Sequence, residues 1–562
     1  MTDAGSEKEF IADAKRHNEW WKGEIPANIT EAASFTPRSD FHQLLKTVDK
    51  HREAGTENFV YQIYGQTGIG KTMLLQQLIA ALLDSTDFPA GGRNHEVVNS
   101  VSPRQILYVP LEASLYHLER PDDAMTRLKQ VVDYFESHVA PRRGQKYVLL
   151  DDVGALSLDE DERGALLDLV DQRTYLFLTG VVSSQVDLEE TANTDEIGSF
   201  IGPFPMLPMK FVDTVQHRAT EGGLHVDFGS EFQEQIEAYQ SKGLPGPSPI
   251  KAVRKALNLQ DSTANIDDAI DALDDLYFEL LSPDQRDDLH DAAREFLRIG
   301  GTVHRANDAT VQNELAKSHF LLYLYKELAK YESIQKPENL HKLSSIAASQ
   351  AGEELRYTDI SDRIGVDRRT VDSYLDALEE GIAVSESHDY SLRRYRRTRL
   401  YLRNPRHVVL LSQRQEHYGF EEYNREDMLN YEFEYKLART VGFDHANRLA
   451  FNVGADNVEY CETDSGLVDY VLHHDGHVLP FILSYHPYTD NVEQIAVEFD
   501  PEVGQHTKSD SEDLQDLEYE APCRFIVTDS LPKDILENGT LRIHRDGTDI
   551  CYLPYWLFLL IC

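Results

Sequence analysis

The sequence predicts an α/β protein: a parallel sheet with helices on both faces, then a helical region, a winged helix-turn-helix and a second α/β domain. Three observations predict it. Between Glu57 and about Val186 short apolar runs alternate with amphipathic stretches of helix length, the rhythm of a parallel sheet. A glycine-rich loop joins the first apolar run to the first of those helices. After Gln413 a helix over Met428–Val441 leads into short alternating strands such as Val468–Leu472 and Pro480–Tyr485.

Taken in order, residues 1–57 read as a polar helical segment anchored by Trp20 and Trp21. Residues 58–226 form the sheet domain, with strands predicted at Phe59–Tyr64, Ile106–Leu111, Tyr147–Leu150 and Tyr175–Thr179. Helices are expected between them, for example Thr72–Leu83 and Ala124–His138. Residues 227–349 read as mostly helical, broken at Gly243–Pro249. Residues 350–411 form the winged helix, and 412–562 the last domain. A chain of 562 residues exceeds what one core can hold, so several domains are expected.

Composition excludes whole-chain disorder, with 41% hydrophobic and 10% aromatic residues. Acidic residues number 97 against 55 basic ones, a formal net charge of −42, and only 20 of the basic residues are Lys against 35 Arg. An acid excess spread along a folded chain fits a cytosol of molar salt, where screening relieves self-repulsion; the competing reading is a surface dedicated to a basic partner. Cys461, Cys523, Cys551 and Cys562 are far apart and form no CxxC pair, which argues against disulfides or zinc and for a reducing, cytoplasmic location. The apolar run Tyr555–Cys562 is too short to span a bilayer and is expected to close a core.

Gly65-Gln66-Thr67-Gly68-Ile69-Gly70-Lys71-Thr72 matches G-x-x-x-x-G-K-[ST] at every fixed position. The glycines let successive backbone N–H groups turn inward around phosphate oxygens. Lys71 supplies a cation for the β- and γ-phosphates, and the Thr72 hydroxyl a ligand for Mg²⁺. The strand before the loop and the helix after it supply the setting the motif needs. This predicts a P-loop NTPase sheet binding ATP with Mg²⁺.

Tyr147-Val148-Leu149-Leu150-Asp151-Asp152 is an apolar strand ending in two acids. Asp151 would hold the metal and Asp152 orient the attacking water, although Asp is one methylene shorter than the Glu most hydrolytic proteins carry there. Thr179, at the end of the next strand, is the candidate sensor of the γ-phosphate. Arg38, ahead of the helix Asp40–Lys50, stands where a contact to the base would be made.

Tyr357–Ile364, the turn Gly365-Val366-Asp367 and Arg368–Glu380 have the layout of a helix-turn-helix, with Arg368 and Arg369 at the start of the second helix. Arg393, Arg394, Arg396, Arg397, Arg399, Arg403 and Arg406 follow, and no acidic residue falls between Tyr390 and Gln415. Such a strip meets DNA phosphates in a wing. Equally, it can pair with the chain's own carboxylates, and winged helices also bind proteins.

The order of parts resembles a family of archaeal and bacterial AAA+-type ATPases that end in a domain of unknown function (number 4143), here in haloarchaeal form. The matching pieces are Gly65–Thr72, Leu149–Asp152, Leu178-Thr179-Gly180, Leu207-Pro208-Met209-Lys210-Phe211, Phe296-Leu297 with Gly300-Gly301, the winged helix and Arg399-Leu400-Tyr401-Leu402. The resemblance implies ATP over GTP and a restriction-endonuclease-like last domain. Relatives often carry an Arg after Gly where this chain has Gly202-Pro203, so no arginine finger carries over. Asp469 and either Glu432 or Glu434 match nuclease acids, but Ile482 and Ser484 stand where Glu and Lys belong. An apolar side chain cannot ligate a metal, so a degenerate domain without nuclease activity is expected.

The sequence therefore leads to an ATPase that couples nucleotide state to the winged helix and nuclease-like module, with DNA and self-association as possible partners. The alternative is a nucleotide-gated DNA-binding regulator that hydrolyses slowly or not at all.

Overall fold

The computed structural model describes residues 4–83, 101–111, 124–155, 166, 169, 173–180, 199–220, 249–261, 265–301, 309–330, 334–391, 397–412, 431–485, 491–507 and 519–562. The chain divides into two compact units. One comprises Met1–Leu207 and Leu322–Ile334, the other Pro208–Leu321 and Gln335–Cys562.

In the first unit β1 (Asn58–Tyr64), β2 (Ile106–Pro110), β3 (Lys146–Asp151), β4 (Thr174–Thr179) and β5 (Ser199–Pro205) form one five-stranded sheet in the order β2-β3-β4-β1-β5. Every pairing in it is parallel. Such a sheet is covered on both faces, so its strands are nearly continuously apolar, and all six residues of β3 and of β4 are buried. Alternate residues feed two cores. Tyr61, Tyr147, Leu149, Tyr175 and Phe177 pack with helices Ser39–Glu53 and Lys71–Leu82. Val60, Val148, Leu150, Leu176 and Leu178 pack with Leu128, Val131 and Phe135.

Strand β5 lay outside the sequence expectation because Gly202, Pro203 and Pro205 are poor strand formers. It sits at the sheet edge, where a missing N–H is tolerated. A Cβ on Gly202 would lie 2.8 Å from the Phe59 ring, so glycine lets the strand lie close to its neighbour. The opposite edge, β2, is covered by the N-terminal segment. The Asn18 side chain accepts from Tyr108 N and donates to Tyr108 O, while Trp20 and Trp21 indoles both donate to Ile106 O. These bonds satisfy groups that an open edge would present.

The second unit holds two sheets. β6 (Glu354–Arg356), β7 (Val384–His388) and β8 (Arg397–Leu402) make an antiparallel sheet in the order β6-β8-β7, with helices Pro337–Ser349, Tyr357–Ile364 and Arg368–Glu380. This is the helix-turn-helix and hairpin layout. β9 (Asn457–Glu462), β10 (Leu467–His474), β11 (His477–Ser484), β12 (Arg524–Thr528), β13 (Arg542–Arg545) and β14 (Thr548–Pro554) make a mixed sheet ordered β13-β14-β12-β11-β10-β9.

Of the helix expected at Met428–Val441, residues 428–430 lie outside the described residues, and the rest belongs to a helix, Tyr431–Val453, that runs on past Val441. It passes through Gly442, whose missing Cβ leaves room for the Tyr470 hydroxyl. The apolar end Tyr555–Ile561 is a fully buried helix, and all four cysteines are buried and free. Among the described residues no helix is long and apolar enough to cross a membrane.

Candidate functional site

The phosphate loop lies between β1 and helix Lys71–Leu82. Gln66 and Ile69 are buried and fix it, while Gly65 passes so close to Met206 that a Cβ would lie 2.4 Å from its carbonyl oxygen. Gly70 has φ +107°, a left-handed conformation that favours glycine, and no side chain caps the helix behind it. The first-turn N–H groups therefore keep their capacity for an anion. The Lys71 ammonium donates to Gly65 O at 2.6 Å and Gln66 O at 3.1 Å.

Strand order brings the acids to this loop. β4 lies between β1 and β3, so the C-terminal ends of all three meet on one side. Thr72 donates to Asp151 Oδ1 at 3.1 Å and Thr179 to the same oxygen at 2.6 Å; Tyr108 donates to Asp151 Oδ2 at 2.8 Å. Burial and the Asp151 charge push the Tyr108 phenol well above its ordinary pKa, so it remains a donor. The Thr179 hydroxyl also accepts from Asp152 N at 2.9 Å. It thus ties the two acids together.

Asp152 has φ +59°, which is uncommon for a residue with a Cβ. Its side chain lies against Gly180, where a Cβ would come within 2.4 Å of Oδ1. Strain of this kind concentrates at functional positions.

The Thr72 hydroxyl and the Asp151 carboxylate are hard oxygen donors within hydrogen-bond distance of one another, the donor set Mg²⁺ takes beside phosphates. The residues fit that ion. Among the described residues, no group of three or more His, Cys, Asp or Glu side chains converges to hold a metal without such a partner.

Arg38 does not stand as a base contact. Its guanidinium donates to Ile69 O at 2.8 Å and Leu207 O at 2.6 Å and pairs with Asp40 at 2.7 Å, which pins the back of the phosphate loop.

Sequence reasoning missed three residues. Tyr108 looked like an ordinary strand aromatic. Glu327 and Lys330 come from a segment far along the chain: Glu327 accepts from the Thr67 hydroxyl, and Lys330 donates to Gly154 O. Nothing local marks them, since their meaning depends on contacts across 260 and 176 residues of sequence.

The arginine strip changes meaning in the structure. Arg399 is 5% exposed, bonded to Gly352 O and Glu462 and set over the Tyr460 ring at 4.4 Å, so the expected DNA contact through it is withdrawn. Arg397 pairs with Glu354, Arg403 with Asp444, and the buried Arg406 with Gln312 and Asn313. Arg393, Arg394 and Arg396 lie outside the described residues. Arg368 and Arg369 are exposed, on a helix that also carries Asp372, Asp376, Glu379 and Glu380.

The nuclease-like acids are likewise occupied. Asp469 accepts from Arg439 Nε at 2.9 Å and from Leu483 N at 2.8 Å. Glu434 accepts from Arg294 and Tyr485, while the side chain of Glu432 lies outside the described residues. Ile482 is fully buried.

A family model described as a domain of unknown function (DUF8612) matches residues 293–409. No curated protein matches the chain. Among solved structures the chain is similar to the Aeropyrum pernix ORC1 protein in complex with DNA, at 14% identity and TM-score 0.23, over 70% of this chain and 95% of that one. It is also similar to Drosophila ORC bound to DNA, at 13% identity and TM-score 0.22, over 73% and 93%. A third similarity is to a DNA polymerase III gamma subunit-related protein from Thermotoga maritima, at 10% identity and TM-score 0.19, over 61% and 100%.

Proposed function

We propose that this chain is an AAA+-like ATPase that binds ATP with Mg²⁺ at the phosphate loop and couples its nucleotide state to the helix-turn-helix and the nuclease-like module. The observation that carries the reading is the convergence of Lys71, Thr72, Asp151, Asp152 and Thr179 at the ends of three adjacent parallel strands. Lys71 binds the β- and γ-phosphates. Thr72 and Asp151 hold the metal, which would neutralise phosphate charge when bound. Asp152 orients water, and Thr179 links both acids to the γ-phosphate position. With Asp469 and Glu434 engaged by arginines, the last domain acts without cutting DNA. Arg368 and Arg369, exposed at the start of the second helix of the helix-turn-helix, are the residues proposed to touch DNA.

The second reading is a slowly hydrolysing, nucleotide-held regulator, favoured by Asp152: its carboxylate is short and rests against Gly180. Phosphate release in molar KCl separates the two, for the unmodified chain, Lys71→Ala and Asp152→Asn, with and without duplex DNA. Multiple turnovers abolished by both substitutions mean an ATPase. Binding that only Lys71→Ala removes, with release stopping near one turnover, means a switch. No nucleotide binding at all rejects both.

A further inference from the structure

The first unit contains thirteen residues, Leu322–Ile334, that arrive from outside its main run: the chain on either side, Pro208–Leu321 and Gln335–Cys562, belongs to the second unit. The segment is not a regular helix. A π-helical turn, Tyr323–Glu327, runs directly into a 3₁₀ turn, Leu328–Lys330, and such departures recur at functional hinges. Tyr323, Leu324 and Leu328 are buried and hold it in place. Two of its charged side chains, Glu327 and Lys330, reach both halves of the nucleotide site. Glu327 accepts the Thr67 hydroxyl on the phosphate loop. Lys330 donates to Gly154 O beyond the acid-bearing strand, and its ammonium feels the charges of Asp152, Lys326 and Glu327.

We propose that residues 323–330 form a two-point latch across the nucleotide site, from the phosphate loop to the acid-bearing turn, and that bound triphosphate opens it. The inference rests on the ATP-binding reading above. Glu327 places a carboxylate on the loop that must receive a polyanion, and like charges at that separation repel in a partly desolvated site. Lys330, bonded to the Gly154 carbonyl, fixes the turn that follows the water-orienting acid. Triphosphate binding sets the two requirements against each other. The loop cannot hold both the Glu327 carboxylate and the phosphates at full strength, so the ligand shifts the segment toward a released state by its differential affinity. Because the second unit flanks the segment in sequence at both ends, release would pull on chain that belongs to that unit.

The test uses the full chain in molar KCl, titrated with a fluorescent ATP analogue and with the matching ADP analogue. Glu327→Gln keeps an acceptor for Thr67 and removes the charge; Glu327→Ala removes both and serves if the first variant folds poorly. The expected result is ATP affinity about tenfold tighter in Glu327→Gln, with a smaller gain for ADP. In the unmodified chain, saturating ATP should raise amide hydrogen exchange across 323–330 by tenfold or more. Unchanged affinity in the variant, or unchanged exchange on binding, overturns the latch while leaving ATP binding standing, as Lys71→Ala would show by abolishing it. If neither the unmodified chain nor Glu327→Gln binds nucleotide, the ATP reading fails and the latch fails with it.

Discussion

Two buried strand aspartates of this protein, Asp151 at the end of β3 and Asp469 within β10, differ in what surrounds them. Asp151 is 5% exposed and meets only hydroxyls, those of Thr72, Thr179 and Tyr108. Asp469 is 2% exposed and meets the guanidinium of Arg439. Hydroxyls can turn and leave a carboxylate's negative charge uncompensated for an incoming cation. A guanidinium cancels it. The second unit repeats the arginine solution at Glu434 with Arg294, Asp444 with Arg403 and Arg448, and Glu462 with Arg399. The comparison sets a carboxylate whose neutral donors leave its charge available to a cation against carboxylates whose charge the chain's own guanidinium groups neutralise.

The largest expected effect follows from breaking the architectural pair. Asp469→Ala strands a buried guanidinium and should cost about 3–5 kcal/mol of unfolding free energy in denaturant titration. The double replacement Asp469→Leu with Arg439→Met should recover most of it, and nucleotide binding should be untouched in both. A loss of nucleotide binding in the single variant would erase the distinction between the two aspartates.

Acid should act next, and on the second unit. His445 is buried, accepts from Phe211 N at 3.1 Å and has its pKa pushed down to about 4, chiefly by burial. The folded imidazole stays neutral while the unfolded one takes a proton below about 6.5. The unfolded state therefore binds more protons in that window, and stability intact above pH 6.5 falls as the pH drops to 4, by roughly 3 kcal/mol. Thermal melts across that range check it. His445→Gln should flatten the slope at the cost of a lower melting temperature at pH 7.

Arginines sharpen the comparison further. Arg399→Ala should destabilise by about 2 kcal/mol, through the lost buried hydrogen bonds to Gly352 O and Glu462. Arg368→Ala, on an exposed helix face, should stay within about 0.5 kcal/mol, so that any change in DNA affinity it causes is a change at an interface. Equal stability losses would mean that exposure does not separate the two arginines.

A small effect on folding is also expected for Asp151→Asn. It keeps one acceptor oxygen, enough for Thr72 and Thr179 with the amide turned toward the Tyr108 hydroxyl, and should cost about 1 kcal/mol, yet weaken Mg²⁺-dependent nucleotide binding by about tenfold or more. Isothermal titration with and without Mg²⁺ measures this. A variant that binds Mg²⁺-nucleotide normally would remove Asp151 from the metal site.

Much of the site was legible because its chemistry is local. Gly65–Thr72 is one contiguous loop whose glycines answer to backbone conformation, and Asp151 and Asp152 end a strand that the apolar run Tyr147–Leu150 announces. Parallel strands buried on both faces write themselves as continuous apolar runs, which is why β1 to β4 were readable and the proline-bearing edge strand β5 was not. Tertiary structure alone decided what the charges do. A run of arginines in sequence states where positive charge is, never which carboxylate it will meet. Only the folded chain brings Glu462 to Arg399, Asp469 to Arg439 and Glu327 to Thr67, because those pairings are set by packing between residues far apart in sequence.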